Sequence, residues 1–472
     1  IGKIQTKNHD DGFHLDHVIA YENRSDKNNQ LIKAFLSFSH ETDDVSEYVI
    51  QNEFYESLEP QNRTEAFEDN NNLTVSIDYE NKLKDNFDFE IGSKTTIRNF
   101  KTDLNYLDTK YTNDYSENIY AAYLDINYNF SNPVALKFGF RSEQVNTTAQ
   151  LSGSSFPDSS NIITSIIDSA IIQSPYNSPY FKIYPNFSLF YKINTNQTFQ
   201  LGYSKKVNRP ERGTLSPFPE STQDISRLRN GNPYLKPEYS DVFELSFSSS
   251  SKKINISSSL SIKNTKNVIM WWDRDYITYN SKNYEIITVE NADNSESINF
   301  NANIIYRLTS IINITTWGYG WSSKISDIGE ADFNGNSKGI GYGNRISINF
   351  PSLARLELST SGRTKMEITT GTIPSNFKTN LGIQKFFLNK KMSATFKISD
   401  IFNSQKFIIR TKNDIINSET GEKYQQILHA ERQLDKRFIS ININYNFGMN
   451  KDKKLNKNIL PKNQTEDMDM DY

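Results

Sequence analysis

Apolar and polar residues alternate along most of this 472-residue chain. About sixteen segments show this period of two, which is typical of strands with one apolar and one polar face. A clear example places these residues on one face: Tyr120, Ala122, Leu124, Ile126, Tyr128 and Phe130. The residues between them are mainly polar. The sequence therefore predicts an all-β protein.

The connections between these segments are alternately short and long. Short turns are predicted at residues 84–86, 131–133, 194–196, 250–252, 309–310, 351–352 and 389–391. Long connections are predicted at residues 99–117, 146–178, 205–237, 274–283 and 327–338. This asymmetry is typical of a transmembrane antiparallel up-and-down β-barrel, whose closure leaves no exposed sheet edge. We predict such a barrel, with about 16 strands visible in the sequence.

The alternating segments divide the chain into three parts. We expect the outer-membrane β-barrel to cover residues 30–448. Residues 1–29 form an N-terminal segment that we interpret as an incomplete strand. Residues 449–472 lack periodicity and are predicted to be a disordered periplasmic tail.

Composition suits strands with one apolar and one wet face, and it excludes several function classes. Hydrophobic residues make up 36% of the chain and aromatic residues 13%, which suits strands with one polar face better than a large soluble core. The net charge of -3 argues against a nucleic acid partner, and the absence of cysteine excludes thiol chemistry. No apolar run is long enough for a transmembrane helix. Nothing indicates a cofactor.

The stretch from Leu201 to Phe247 contains two alternating segments around a proline-rich connection. Proline cannot donate to a strand ladder, so this connection is predicted to be a rigid loop. Its motifs are Tyr203-Ser-Lys-Lys-Val-Asn-Arg-Pro210, Leu215-Ser-Pro-Phe218 and Gly231-Asn-Pro-Tyr-Leu-Lys-Pro-Glu238. Together with Ile398-Ser-Asp-Ile-Phe-Asn403 and Tyr445-Asn-Phe-Gly448, they resemble the Bacteroidetes outer membrane protein β-barrel family, which is related to TonB-dependent receptors.

The resemblance implies a 22-stranded barrel with an N-terminal plug. The chain shows fewer strands and no plug-like segment. Either these elements lie upstream of Ile1, or the protein is a smaller barrel. The resemblance also implies partners: outer-membrane lipid, TonB acting through a plug, and a surface lipoprotein or other outer-membrane proteins. It implies uptake of a scarce substrate such as a metal chelate, glycan or peptide; the alternative is a non-transporting scaffold barrel in a multi-protein complex.

Two groups of residues are candidate sites. Arg209 and Glu238 flank the proline-rich loop, where they could pair or remain solvated. With them we assign a structural role to Pro210, Gly231, Asn232, Pro233, Leu235 and Pro237. A second group could contact a ligand, or its tryptophans could lie at the membrane interface: Trp271, Trp272, Asp273 and Arg274.

Other motifs carry little chemistry. His9, His14 and His17 lie among aspartates, but no element is evident to fix a metal geometry, so no metal site is predicted. Gly339-Ile-Gly-Tyr-Gly343 lacks the following helix of a nucleotide loop, and its glycines are interpreted as allowing strand curvature or bulging. His40 and His429 have no neighbouring nucleophile in the sequence, so we expect no enzyme.

Overall fold

The computed structural model describes most of the chain. The described residues are 3–447 without 26–28, 53–61, 107–108, 132, 154–165, 168–170, 172–173, 222–226, 280–281, 327–334, 352, 369–370, 389–390, 405–406, 417–422 and 433–436. Within this part, no helix is long and apolar enough to cross a membrane.

The described residues form 23 β-strands, and seventeen of these follow one another as antiparallel neighbours in a single sheet. The first eight are β1 (Lys3–Ser25), β2 (Gln30–Asn52), β3 (Asn62–Lys84), β4 (Phe87–Tyr106), β5 (Thr109–Ser131), β6 (Val134–Gly153), β7 (Tyr176–Asn194) and β8 (Gln197–Asn208). The other nine are β11 (Glu238–Ser250), β12 (Ile254–Tyr279), β13 (Lys282–Arg307), β14 (Ile312–Ser326), β15 (Gly335–Phe350), β16 (Ala354–Arg363), β19 (Asn376–Phe387), β20 (Met392–Ser399) and β23 (Phe438–Tyr445).

The six remaining strands belong to the connections. They are β9 (Glu220–Ser221), β10 (Arg227–Asn230), β17 (Met366–Ile368), β18 (Gly371–Ile373), β21 (Phe407–Ile416) and β22 (Lys423–Arg432). A single helical turn, Arg212–Leu215, precedes β9. The sheet confirms the predicted antiparallel up-and-down fold.

The two outermost strands of the sheet are β1 and β23. In the described residues, β1 pairs with β2 and β23 pairs with β20, and neither is paired on its other side. As the first and seventeenth members of an antiparallel series, they run in the same direction.

The short turns occur where the sequence predicts them. Only two residues separate the last ladder partners of β3 and β4, of β5 and β6, and of β7 and β8. Two predicted long connections are wrong. β4 continues to Tyr106 and β5 begins at Thr109, so residues 99–117 are mainly strand. Likewise β12 and β13 continue through most of residues 274–283.

The reason for this error is a change in the outward face of the strands. On β6, Leu136, Phe138 and Phe140 face outward, whereas Gln144 and Gln150 occupy the same face further along. A strand that rises above the hydrocarbon layer no longer needs apolar residues on its outer side. The ladder therefore continues after the apolar alternation has ended.

The N-terminal segment, residues 1–29, contains a long strand, and the division of the chain into three parts remains a prediction. β1 contains 23 residues and pairs with β2 along its whole length, so the segment interpreted as an incomplete strand belongs to the sheet. Its regular pairing puts His14 on the opposite face from His9 and His17, because successive side chains alternate across a strand. The proposed tail, residues 449–472, lies outside the described residues.

Candidate functional site

The connection from β8 to β11 folds back over the polar face of the sheet. We call residues 209–237 the cap; residues 222–226 within it lie outside the described part. Its strands β9 and β10 pair with each other, and β10 also pairs in parallel with β13 through residues 227–230. The proline-rich loop is therefore attached to β13, a strand of the main sheet that lies far from it in sequence.

Apolar residues hold the cap against two separate walls. Leu215 and Leu235 pack with Tyr115 of β5, Ala149 of β6 and Val289 of β13. A second cluster contains Phe218 and Leu228 of the cap. The other members lie on β4, β5, β6 and the connection from β6 to β7: Leu104, Tyr111, Leu151 and Ile167. All of these side chains are buried. Burying a side chain of this size contributes about 1.5–3 kcal/mol, so the cap is a packed element of the lumen.

A buried ionic cluster fixes the start of the cap. Arg209 donates from Nη2 to the carboxylate of Glu143, and its Nε lies 3.6 Å from Oε1 of Glu117. The side chains of Glu143 and Glu117 are 3% and 5% exposed, and that of Arg209 is 15% exposed. Arg141 and Arg98 contact the same two glutamates at 2.6 and 3.5 Å. Three guanidinium groups thus surround two carboxylates.

Arg209 remains charged in this cluster. It lies beyond the end of β8, outside the apolar band. Burial alone lowers the pKa of Arg209, but the carboxylates of Glu143 and Glu117 outweigh that effect and hold the pKa above its ordinary value. Desolvated ion pairs gain stability only when their geometry and hydrogen bonds are good, and removal of one partner is costly. The cluster therefore acts as a fixed attachment of the cap to β5 and β6.

A close contact between two backbone segments of the cap depends on Gly231. Its N–H donates to the Ser216 carbonyl at 2.7 Å, and the N–H of Asn232 donates to the Thr214 carbonyl at 2.7 Å. A Cβ atom at Gly231 would lie 2.5 Å from the Ser216 oxygen and 2.6 Å from the Thr214 oxygen. Only glycine fits this backbone approach.

Polar side chains attach the end of the cap to β12 and β13. The amide of Asn232 donates to the Val289 carbonyl at 3.1 Å, and its oxygen accepts from the Tyr234 N–H at 2.9 Å. Asn291 bonds both backbone groups of Lys236 at 2.8 Å. Pro237, after Pro233, accepts from Asn267 at 3.4 Å. The motif residues thus hold backbone in place.

The hypothesis that Arg209 pairs with Glu238 is wrong. Glu238 accepts from the Ile269 N–H at 2.7 Å and from the Asn208 amide at 3.0 Å. Arg209 reaches instead to glutamates on β5 and β6. The sequence signal that identifies them is that Glu117 and Glu143 occur on the polar faces of strongly alternating strands.

The predicted ligand group is only partly described. The Arg229 guanidinium lies 3.4 Å from the ring centroid of Trp271, which also packs against the apolar cluster beneath the cap. Trp271 therefore contacts the cap, in a cation–π geometry that is worth about 0.5–2 kcal/mol. The side chains of Trp272, Asp273 and Arg274 lie outside the described residues. Ligand contact by this group remains a prediction.

Near the short turns, the polar face of β1–β6 is strongly charged. A cavity of about 410 Å³ is lined there by residues that include Arg24, Glu80, Asp88, Glu90, Asp125 and Lys137. Lys137 lies 3.6 Å from Asp125, and Asn127 donates to Asp88 at 2.5 Å. Asp125 and Asp88 therefore already have protein partners.

An antiparallel sheet with an apolar outer band, a polar lumen face and tight turns at one end defines an outer-membrane β-barrel protein. A model of the Outer membrane protein beta-barrel family matches residues 23–445. The chain belongs to this family and is located in the outer membrane. The resemblance stated from the motifs is confirmed; assignment to Bacteroidetes remains a prediction.

Solved structures of uptake proteins share the fold. The ferric yersiniabactin uptake receptor FyuA from Yersinia pestis has a TM-score of 0.62 and 11% identity, covering 91% of this chain and 60% of that chain. For the ferric citrate transporter FecA, the TM-score is 0.60, the identity 13% and the coverages 91% and 61%. For the copper transporter OprC, these values are 0.59, 10%, 88% and 67%. None of the curated proteins compared with the chain matches it.

Proposed function

We propose that the chain is the barrel portion of an outer-membrane uptake receptor resembling TonB-dependent receptors. The observation that carries the proposal is the cap, which is packed inside the lumen and attached to two walls. A lumen obstructed in this way does not suit passive diffusion through an open pore. It suits selective uptake of a scarce solute, such as a metal chelate, glycan or peptide, driven through TonB.

The fold of the three uptake proteins supports this proposal, although the chain spans only 60% to 67% of their lengths. Driven uptake requires an energy-coupled plug, and a surface lipoprotein is a further proposed partner. We propose no enzymatic activity.

The experiment compares cells that produce the full protein with cells that lack it. Accumulation of labelled ferric chelates, oligosaccharides and peptides is measured with and without a protonophore. We expect one solute class to accumulate only when both the protein and the proton gradient are present. Equal accumulation in both strains for every class would overturn the proposal.

A scaffold barrel is the second candidate. The observation that favours it is the polar outer face of the strands above the apolar band, where Gln144, Asn146, Thr148 and Gln150 of β6 are exposed. This wall could contact neighbouring proteins. Purification in a complex of fixed stoichiometry, without uptake of any solute, would support the scaffold function.

A further inference from the structure

Three aromatic residues form a row on β14. Trp317, Tyr319 and Trp321 occupy alternate positions, with ring centroids 6.4 and 6.0 Å apart and interplanar angles of 10° and 15°. We call these three residues the aromatic row. Alternate positions on a strand share one face of the sheet. The row therefore presents three nearly parallel rings along a single strand.

The row lies on the polar face of the sheet. In register with it on β13 are Asn303, Asn301 and Asn299, whereas the alternate residues Ile298 and Phe300 face outward. The next strand, β12, carries serines on the same face as these asparagines. By the barrel geometry this face lines the lumen. The aromatic rings are thus placed among amide and hydroxyl groups.

Glycines on β15 determine how the rings lie. Gly343, Gly341 and Gly339 pair with the three aromatic residues, and the register passes through them without a shift. Of the two interpretations of these glycines, a bulge is therefore excluded, and strand curvature remains a prediction. A Cβ atom at each would lie only 2.2 to 2.4 Å from a ring atom of the opposite side chain. The rings consequently reach across the backbone of β15.

This arrangement leaves ring surface open to the lumen. Tyr319, at the centre of the row, is 41% exposed. Among the described residues, the contacts of the cap given above fall on β4, β5, β6, β12 and β13. The row on β14 is therefore adjacent to the capped walls and accessible beside them.

We propose that the aromatic row binds a neutral oligosaccharide within the lumen. This inference rests on the proposed uptake function and narrows its substrate class. The negative faces of aromatic rings attract the polarised C–H groups of a pyranose ring, and repeated rings along one strand match a ligand that is itself a chain of rings. The flanking asparagines and serines both donate and accept hydrogen bonds, as sugar hydroxyls require.

Charge distinguishes this ligand from an anionic metal chelate. The residues in register with the row on β13 are uncharged amides, and those on β15 are glycines. The nearest wall charges on β15 and β16 are Arg363, which is in register with Gly341 and already has an interaction partner, and Arg345, which pairs with Glu357 at 3.4 Å. A highly charged ligand would find few complementary groups at this position.

The test measures binding of linear neutral hexasaccharides to the full protein purified in detergent. The panel contains hexasaccharides of glucose in α-1,4 and β-1,4 linkage, mannose, xylose and N-acetylglucosamine. Calorimetry gives the affinity, and quenching of tryptophan fluorescence reports the site, since the row holds two of the four tryptophans in the chain. We expect at least one hexasaccharide to bind.

Single substitutions test the row itself. Trp317→Leu, Tyr319→Leu and Trp321→Leu should each weaken binding about tenfold, the scale of one lost aromatic stacking contact. Gly341→Ala keeps all three rings but displaces Tyr319, and should also weaken binding. The matched control is Tyr342→Leu, which removes an exposed aromatic ring from the outward face of β15 and should leave the affinity unchanged.

A purely structural role for the row would give a different result. Aromatic side chains laid over strand glycines also stabilise sheets. Electrophoretic mobility before and after boiling measures whether each variant remains a folded barrel. Folded row variants with unchanged affinity would overturn the proposal, as would failure of every hexasaccharide to bind or quenching by ferric chelates alone.

The outcome is distinguishable from failure of the uptake function. If row variants lose sugar binding but accumulation does not depend on the proton gradient, the binding site stands and driven uptake is wrong. If uptake of another solute class depends on the proton gradient and the row variants keep their sugar affinity, driven uptake stands and the sugar-binding proposal is wrong.

Discussion

Removal of the Arg209 guanidinium should release the cap from β5 and β6. In Arg209→Met, Glu117 and Glu143 lose a shared partner while both remain buried. Breaking a buried ion pair costs about 3–5 kcal/mol. Because Arg98 and Arg141 still contact the two carboxylates at 3.5 and 2.6 Å, we expect a smaller cost, about 2–3 kcal/mol. The loss applies to docking of the cap, since the strand ladders remain intact.

Limited proteolysis measures this docking. When opening and closing are fast, the cleavage rate follows the open population, and 1.4 kcal/mol corresponds to about tenfold. Proteinase K added to the full protein in detergent should therefore cleave the cap of Arg209→Met about 30 to 150 times faster than that of the wild type. Mapping the fragments by mass spectrometry establishes that cleavage lies within residues 209–237.

The matched control is Arg212→Met, in the same cap. Arg212 contacts Glu68 at 3.0 Å and Glu41 at 3.6 Å, but its side chain is 39% exposed. Such a pair contributes about 0–1 kcal/mol, so cleavage should rise less than about fivefold. Equal cleavage of Arg209→Met and wild type would refute the reasoning.

Two further predictions test the backbone contact at Gly231 of the cap and the position of the apolar band along the strands. Gly231→Ala brings a methyl group within 2.5 Å of a carbonyl oxygen, so it should weaken docking of the cap by about 1–3 kcal/mol and increase cap cleavage accordingly. The control Gly213→Ala has no atom within 4 Å of the added Cβ and should leave cap cleavage unchanged. Phe300→Arg puts a charge in the apolar band and should lower barrel stability by about 2–4 kcal/mol, measured from the temperature at which electrophoretic mobility changes. Gln150→Arg, on the outer face above the band, should change that temperature little; an equal effect of both arginines would contradict the assigned membrane height.

The strands were predictable because the bilayer imposes a period of two on their outer face. Prediction failed where that constraint ends. From Asn99 to Tyr106 the outward residues of β4 are no longer consistently apolar, yet backbone pairing with β5 continues. Hydrogen bonding of the backbone depends little on side-chain polarity. Sequence alternation therefore locates the membrane-spanning part of a strand better than its end.

The site was less predictable because its contacts join distant parts of the chain. Arg209 and Glu143 are 66 positions apart, and their contact depends on how far β6 rises beside the cap. Glu238 is the only carboxylate within the loop motifs 203–210, 215–218 and 231–238. The pairing of the aromatic row with Gly339, Gly341 and Gly343 likewise depends on strand register, which alternation alone does not specify.

The family motif and the proposed ligand site lie on different walls of the barrel. Arg209, Gly231 and Asn232 fix the cap through packed contacts and short backbone bonds, and these leave few polar groups for a ligand. A fixed cap also narrows the lumen on the sides formed by β5, β6, β12 and β13. A solute entering from outside would then pass along the neighbouring wall, where Tyr319 is exposed. The cap would thus direct the solute toward the aromatic row.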